Sequence, residues 1–123
     1  MIVCEQVEKR YGRETILTQL SFEITEPKII GLIGRHGVGK STLLKILAGH
    51  VKTSAGKTEV IGKRPFQNLT VAANTIFIED GMTFPSVMNL EEILKSGEKF
   101  YKNFATDLAF ELLKFSRISD KNY

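Results

Sequence analysis

The glycine-rich segment "GRHGVGKST", residues 34–42, carries residue types that bind phosphate groups. It fits the pattern G-x-x-x-x-G-K-[ST], in which backbone N–H groups surround phosphates and a helix N-terminus adds its positive dipole end. In this pattern Lys40 is a cation for the β- and γ-phosphates, and the Ser41 hydroxyl joins the coordination shell of Mg²⁺. The predicted nucleotide-binding residues of this loop are Gly34, Arg35, His36, Gly37, Val38, Gly39, Lys40, Ser41 and Thr42.

Such a loop needs a buried strand before it and a helix after it. Residues 28–33 (KIIGLI) are apolar after the first position, which predicts a strand buried on both faces of a parallel sheet. The spacing of the next apolar residues predicts a helix that ends near Gly49, and these residues are Leu43, Leu44, Ile46 and Leu47. The order strand, glycine loop, helix therefore supports a phosphate site.

The remaining elements follow from hydrophobic periodicity. Alternation over residues 2–8 and 14–25 predicts two half-buried antiparallel strands. Residues 57–62 and 74–79 predict two more strands, joined by a turn and a short linker. The tail is predicted to be helical, with one face formed by Leu90, Ile93 and Leu94 and a second by Phe104, Leu108, Leu112 and Phe115. We predict a division between residues 1–87 and 88–123.

Composition sets the broad class. The chain has 123 residues, 42% hydrophobic and 25% charged, which indicates one globular domain. The 17 Lys and Arg residues are scattered among 14 acidic residues, so no basic stripe predicts direct nucleic-acid binding. A single Cys excludes an internal disulfide, and the two His residues form no metal-ligand cluster. No apolar run is long enough to span a membrane, so we expect a cytoplasmic protein.

The motifs together resemble a known family. The segments "VEKRYG", "ILTQLSFEI", "GLIGRHGVGKSTLLKILAG" and "SAGKTEVIGKRP" resemble the start of an ABC transporter ATP-binding subunit, over residues 1 to about 115. The resemblance implies an α/β P-loop NTPase of the ABC type: an antiparallel β subdomain, an incomplete parallel core sheet and the start of a helical subdomain. It implies ATP and Mg²⁺ as cofactors. It also implies a transmembrane permease and a second ATP-binding subunit as partners, at the cytoplasmic membrane. The tail resembles bacterial exporter subunits.

The resemblance also assigns two residues outside the loop. Tyr11 lies where the family has an aromatic residue that stacks on adenine. The family's glutamine that contacts Mg²⁺ and the attacking water corresponds to Glu79, whose carboxylate can coordinate Mg²⁺. We therefore predict Lys40 and Glu79 as catalytic residues, and Ser41 and Glu79 as metal ligands. The segment "TIFIED" also has the form of a Walker B strand, but it follows the loop too closely for that motif.

Three motifs of the family do not occur in this sequence. It contains no Ser-Gly-Gly signature, no later Walker B aspartate with a catalytic glutamate, and no switch histidine, since the His residues are His36 and His50. We therefore expect an N-terminal piece of a longer ATPase that binds ATP but hydrolyses it slowly. One alternative is a non-catalytic nucleotide-binding module. Another is a small P-loop kinase in which "TIFIED" supplies the Mg²⁺ carboxylate.

Overall fold

A computed structural model describes residues 1–83, 86–101 and 104–116 of the chain. The chain divides into two compact units, residues 1–78 and residues 79–123. The predicted division at residues 87 and 88 remains a prediction. None of the helices in the described ranges is both long enough and apolar enough to cross a membrane.

The first unit contains a three-stranded antiparallel sheet in the order β2-β1-β3. The strands are β1 (Ile2–Tyr11), β2 (Glu14–Ile24) and β3 (Ala55–Val60). Strands β1 and β2 form a hairpin, in which Ile2 pairs with Ile24 and Tyr11 pairs with Glu14. This confirms the two predicted antiparallel strands, and it confirms the strand predicted at residues 57–62, which pairs antiparallel with β1 as β3. β1 is longer than predicted, and Tyr11 is its last residue rather than a loop residue beyond it.

Helix α1 (Lys40–Leu47) packs on this sheet. The buried core comprises two residues of α1 and three of the hairpin, namely Leu43, Ile46, Cys4, Val7 and Leu17. Burial raises the pKa of the Cys4 thiol, which suits its position among apolar side chains. The predicted end of the helix is confirmed, because the Gly49 N–H donates to the Ile46 carbonyl at 3.0 Å and Gly49 has φ of +82°.

Residues 28–33 were predicted as a parallel strand and residues 74–79 as a further strand. Neither segment pairs with a strand among the described residues, so both predictions are wrong in this structure. Ile29 and Ile33 are 103% and 95% exposed, and Ile76 and Ile78 are also exposed. A parallel strand is buried only when neighbouring strands flank it and helices cover both faces. Within the described ranges the sheet contains only antiparallel pairs, so these apolar runs have no ladder to join.

Apolar side chains that the sheet does not cover line a groove of about 770 Å³ in the first unit. It lies between β2, the segment 26–32 and α1, with Phe22, Ile30, Leu32 and Leu44 among its walls. The predicted apolar stripe of α1 therefore contacts both the buried core and this groove. Leu43 and Ile46 pack into the core, whereas Leu44 is 45% exposed at the groove.

The linker after β3 contains a short helix that the sequence analysis missed. Helix α2 (Leu69–Ala73) begins after Asn68, whose side-chain oxygen accepts hydrogen bonds from the N–H groups of Thr70 and Val71. Val71 is fully buried. The Asn at the N-cap was the available signal, but five residues are too few to show helical periodicity.

The second unit contains the two predicted helices, α3 (Leu90–Phe100) and α4 (Thr106–Ser116). Asn89 and Glu92 form a capping box at the start of α3. The face predicted for α4 is wrong, because Leu108, Leu112 and Phe115 are 53%, 57% and 89% exposed. The half-buried apolar side chains are instead Ala109, Phe110 and Leu113. Both rows have helical spacing, so periodicity alone could not choose between them.

Gly56 allows β1 and β3 to approach at the irregularity between Glu5 and Glu8. Its φ is +80°, and a Cβ there would overlap the Gln6 carbonyl. We expect Gly56→Ala to lower the free energy of unfolding by about 1–2 kcal/mol for the backbone conformation and by about 1–3 kcal/mol more for the overlap.

Gly62→Ala is the matched control, because Gly62 has φ of +73° but nothing within 4 Å of an added Cβ. It should lose only the conformational part, about 1–2 kcal/mol. Equilibrium denaturation followed by circular dichroism measures both losses. Equal losses would show that the Gln6 carbonyl does not limit the approach.

Candidate functional site

The glycine loop ends at the N-terminus of helix α1, so that Lys40 is the first helical residue. Gly39 occupies the N-cap position, has φ of +100° and provides no side-chain cap. The first turn carries no acidic residue, and its first helical hydrogen bond runs from the Leu43 N–H to the Gly39 carbonyl at 2.9 Å. The N–H groups of residues 40–42 precede that bond and are suited to an anion.

The Lys40 side chain folds back over the loop. Its Nζ donates to the carbonyl oxygens of Gly34 at 2.7 Å and Arg35 at 2.8 Å. These two bonds hold the ammonium group beside the loop backbone. Lys40 is also the first residue of α1, so the loop combines a positive charge with a helix N-terminus, and both favour an anion.

The end of the loop packs closely against β2. A Cβ on Gly39 would lie 2.8 Å from Leu17 Cδ2, 3.0 Å from Ile16 Cγ2 and 3.1 Å from the Ile16 carbonyl oxygen. Leu17 is buried in the core of the first unit. Glycine is therefore needed here both for its backbone conformation and for the space that it leaves.

The other predicted loop residues lie on the surface. Arg35, His36, Val38 and Ser41 are exposed, and Thr42 is half-buried. The Ser41 hydroxyl is thus accessible beside the N-terminus of α1. The described ranges contain no group of three or more His, Cys, Asp or Glu side chains placed to hold a metal ion.

Tyr11 lies in the same unit as the loop, at the end of β1, and is 47% exposed. The Lys9 ammonium group lies 4.6 Å from the centroid of its ring. The hairpin register pairs Lys9 with Leu17, which is the β2 residue that packs against Gly39. The hairpin thus connects the predicted base-binding ring to the glycine loop.

Sequence reasoning did not identify Lys9. Alternate residues of a strand point to the same side, so the spacing of Lys9 and Tyr11 was the signal that could have found it. Lys9 Nζ also donates a hydrogen bond to the carbonyl of Lys52 at 2.9 Å, and no pattern in the sequence predicts this contact. The position of that carbonyl depends on the path of the chain after α1.

Glu79 is the first residue of the second unit. It is exposed and lies in a turn, in which its N–H donates to Met82 Sδ at 3.4 Å and its carbonyl accepts from the Met82 N–H at 3.4 Å. Glu79 was predicted to act in catalysis with Lys40 and to bind a metal ion with Ser41, and both of these residues belong to the first unit. Those roles stay predictions.

Comparison with protein families gives a match over most of the chain. The family model for the ABC transporter matches residues 17–120. An uncharacterized ABC transporter ATP-binding protein of Bacillus subtilis is 30% identical over 113 residues, covering 89% of this chain and 36% of that protein. An aliphatic sulfonates import ATP-binding protein of Yersinia pestis is 46% identical over 55 residues, covering 45% of this chain and 20% of that protein.

Solved structures show the same fold. The dimeric bacterial ABC transporter cassette MJ0796 has a TM-score of 0.78 at 22% identity, covering 98% of this chain and 59% of that one. An ATP-binding subunit of an ABC transporter has a TM-score of 0.74, also at 22% identity, covering 84% of this chain and 43% of that one. The fold is therefore that of the ABC ATPase P-loop domain. The chain spans about a third of the Bacillus relative and about half the length of these cassettes.

The packing at Gly39 generates a stability prediction. Gly39→Ala should lower the free energy of unfolding by about 1–2 kcal/mol for the backbone conformation and by about 1–3 kcal/mol for overlap with Ile16 and Leu17. Gly37→Ala is the matched control, because Gly37 has φ of +79° but nothing within 4 Å of an added Cβ. Urea denaturation of the three proteins measures the difference. The close packing would be contradicted by a Gly39→Ala loss no larger than that of Gly37→Ala.

Proposed function

Because this chain belongs to the ABC transporter family, we propose that it binds Mg-ATP through residues 34–42 as part of a transporter's ATP-binding subunit. The observation that carries the proposal is the arrangement of Lys40. Its ammonium group lies over the loop at hydrogen-bond distance from two loop carbonyls, next to a helix N-terminus that no side chain caps. This combination of cation and uncapped N–H groups suits a triphosphate.

Each predicted ligand group has a role in this proposal. The backbone N–H groups of the loop and of the first turn of α1 surround the phosphates. Lys40 neutralises charge on the β- and γ-phosphates. Ser41, the next residue along the chain, is exposed and supplies its hydroxyl oxygen as a ligand for Mg²⁺. Mg²⁺ prefers oxygen ligands and is commonly held by substrate phosphates with few protein groups, which fits an exposed hydroxyl beside the loop.

Tyr11 is proposed to bind the adenine base. Its ring is half exposed and lies in the unit that contains the phosphate loop. Stacking on an aromatic face contributes affinity without reading the identity of the base closely. The base and the phosphates would then be held by separate elements, β1 and the N-terminus of α1.

Glu79 is proposed to act on Mg²⁺ and the attacking water. The support is chemical, because a carboxylate coordinates Mg²⁺ well, and the sequence position matches the family's glutamine. A carboxylate differs from that amide in carrying a negative charge beside the γ-phosphate. We expect slow turnover by the 123-residue chain, because this sequence carries no signature motif and no second catalytic carboxylate.

The proposed partners are a transmembrane permease and a second ATP-binding subunit, with location at the cytoplasmic face of the membrane. Support comes from relatives: one cassette of the same fold is described as dimeric, and one relative is named for import of aliphatic sulfonates. The exporter-type assignment remains a prediction from the helical tail. The transported substrate would be selected by the permease.

Removal of the loop cation tests the proposed function. We expect Lys40→Ala to weaken Mg-ATP binding at least about 30-fold, because it removes a charge-assisted contact to the phosphates. Lys63→Ala is the matched control, since Lys63 is an exposed lysine in the turn after β3. It should change the dissociation constant by less than about twofold. Isothermal titration calorimetry measures all three proteins.

The proposal fails if Lys40→Ala binds Mg-ATP as tightly as the unsubstituted chain does. It also fails if the unsubstituted chain binds neither Mg-ATP nor Mg-tripolyphosphate. Phosphorylation of an added acceptor would favour the kinase alternative. Circular dichroism spectra of the variants separate loss of binding from loss of folding.

A further inference from the structure

One face of the Tyr11 ring is covered by the side chain of Lys9. The Lys9 Nζ lies 4.6 Å from the ring centroid, within the range of a cation–π interaction. The two residues alternate along β1, so their side chains leave the strand on the same side. Both residues of this contact therefore belong to the same strand.

A backbone carbonyl fixes the same ammonium group. Lys9 Nζ donates to the Lys52 carbonyl at 2.9 Å. The segment that carries this carbonyl is itself tied to β1, because the Ser54 N–H donates to the Glu8 carbonyl at 2.8 Å and Ser54 Oγ accepts from the Arg10 N–H at 2.9 Å. The cation is thus held between the ring and the carbonyl.

The carbonyl that holds Lys9 follows closely after helix α1. The N–H groups of His50 and Val51 donate to the Lys45 carbonyl at 2.9 and 3.2 Å, which closes the C-terminal end of that helix. The other end of α1 begins with Lys40. Helix α1 and the few hydrogen-bonded residues after it therefore connect Lys40 to Lys52, and the Lys52 carbonyl in turn holds the ammonium group that covers the Tyr11 ring.

We propose that Lys9 is a positioning residue, which orients the Tyr11 ring and leaves a single face of it open to a nucleotide base. The inference rests on the proposed function, because it assigns a role at the same ATP site. With the ring already oriented, less conformational entropy is lost when a base stacks on it. The base therefore stacks on the face opposite the ammonium group.

The test compares two ligands that share their phosphates, Mg-ATP and Mg-tripolyphosphate. We expect Lys9→Met, which keeps the length of the side chain and removes its charge, to weaken Mg-ATP binding about 2- to 10-fold. The same variant should bind Mg-tripolyphosphate as the unsubstituted chain does, because Lys9 acts on the ring. Lys9→Arg should restore Mg-ATP affinity to within about twofold, since a guanidinium also stacks on aromatic faces.

Arg10→Met is the matched control for charge. It removes one positive charge beside Tyr11 in the sequence, but the Arg10 guanidinium is paired with the Glu8 carboxylate at 2.7 Å. We expect it to leave both dissociation constants unchanged. Tyr11→Leu completes a cycle with Lys9→Met: in the background of Tyr11→Leu, the Lys9 substitution should have no further effect on Mg-ATP binding.

Three results would overturn the inference. Equal weakening of both ligands by Lys9→Met would show an effect on the phosphates or on folding. An Mg-ATP affinity that Lys9→Met leaves unchanged would show that the ring needs no such support. An Mg-ATP affinity that Tyr11→Leu leaves unchanged would show that the ring makes no base contact. In each case Lys40→Ala tests the phosphate site separately, so failure of the inference remains distinguishable from failure of the proposed function.

Discussion

Gly39 lies against Ile16 and Leu17 of β2, and this close approach fixes the end of the glycine loop to the sheet. Leu17 belongs to the buried core, together with Leu43 and Ile46 of α1. The hairpin and the helix therefore hold the loop from two sides. Because a Cβ at Gly39 would meet both side-chain and backbone atoms of β2, the position of the loop depends on the absence of that one atom.

The same hairpin connects the two halves of the proposed nucleotide site. Leu17 packs against the loop and pairs with Lys9, whose ammonium group lies over Tyr11. The carbonyl of Lys52 holds that ammonium group and comes shortly after α1. Two physical links thus join helix α1 to the aromatic ring, one through the core and one through the Lys9 ammonium group. Such links pre-organise a site, so that binding requires less ordering of side chains.

Local chemistry explains which features the sequence predicted correctly. The spacing of Gly34, Gly39, Lys40 and Ser41 is a backbone requirement of the loop, and the structure places a helix N-terminus there as predicted. Apolar–polar alternation likewise predicted the hairpin, although the register shifts between Cys4 and Val7, so that the two buried residues of β1 are three positions apart. Gly49 was predicted to end helix α1 because glycine readily adopts the left-handed conformation, and Gly49 has that conformation in the structure.

Features that depend on distant parts of the chain were not predictable in this way. Residues 28–33 are as apolar as a buried strand, but burial requires neighbours, and Ile29 and Ile33 are exposed in the structure. Helix α4 has two apolar rows, and which of them is half-buried depends on its surroundings rather than on its own sequence. The role of Glu79 toward Lys40 depends in the same way on a non-local arrangement, which no local pattern determines.

Backbone amide NMR spectra recorded with increasing Mg-ATP test the central claim most directly, namely that the phosphates bind at the N-terminus of α1. We predict the largest shifts at the N–H groups of Gly37, Gly39, Lys40 and Ser41, with the same loop shifts when Mg-tripolyphosphate replaces Mg-ATP. Shifts at the Tyr11 ring should appear with Mg-ATP alone. Saturable Mg-ATP binding that leaves the loop amides unshifted and perturbs another part of the chain would contradict the account.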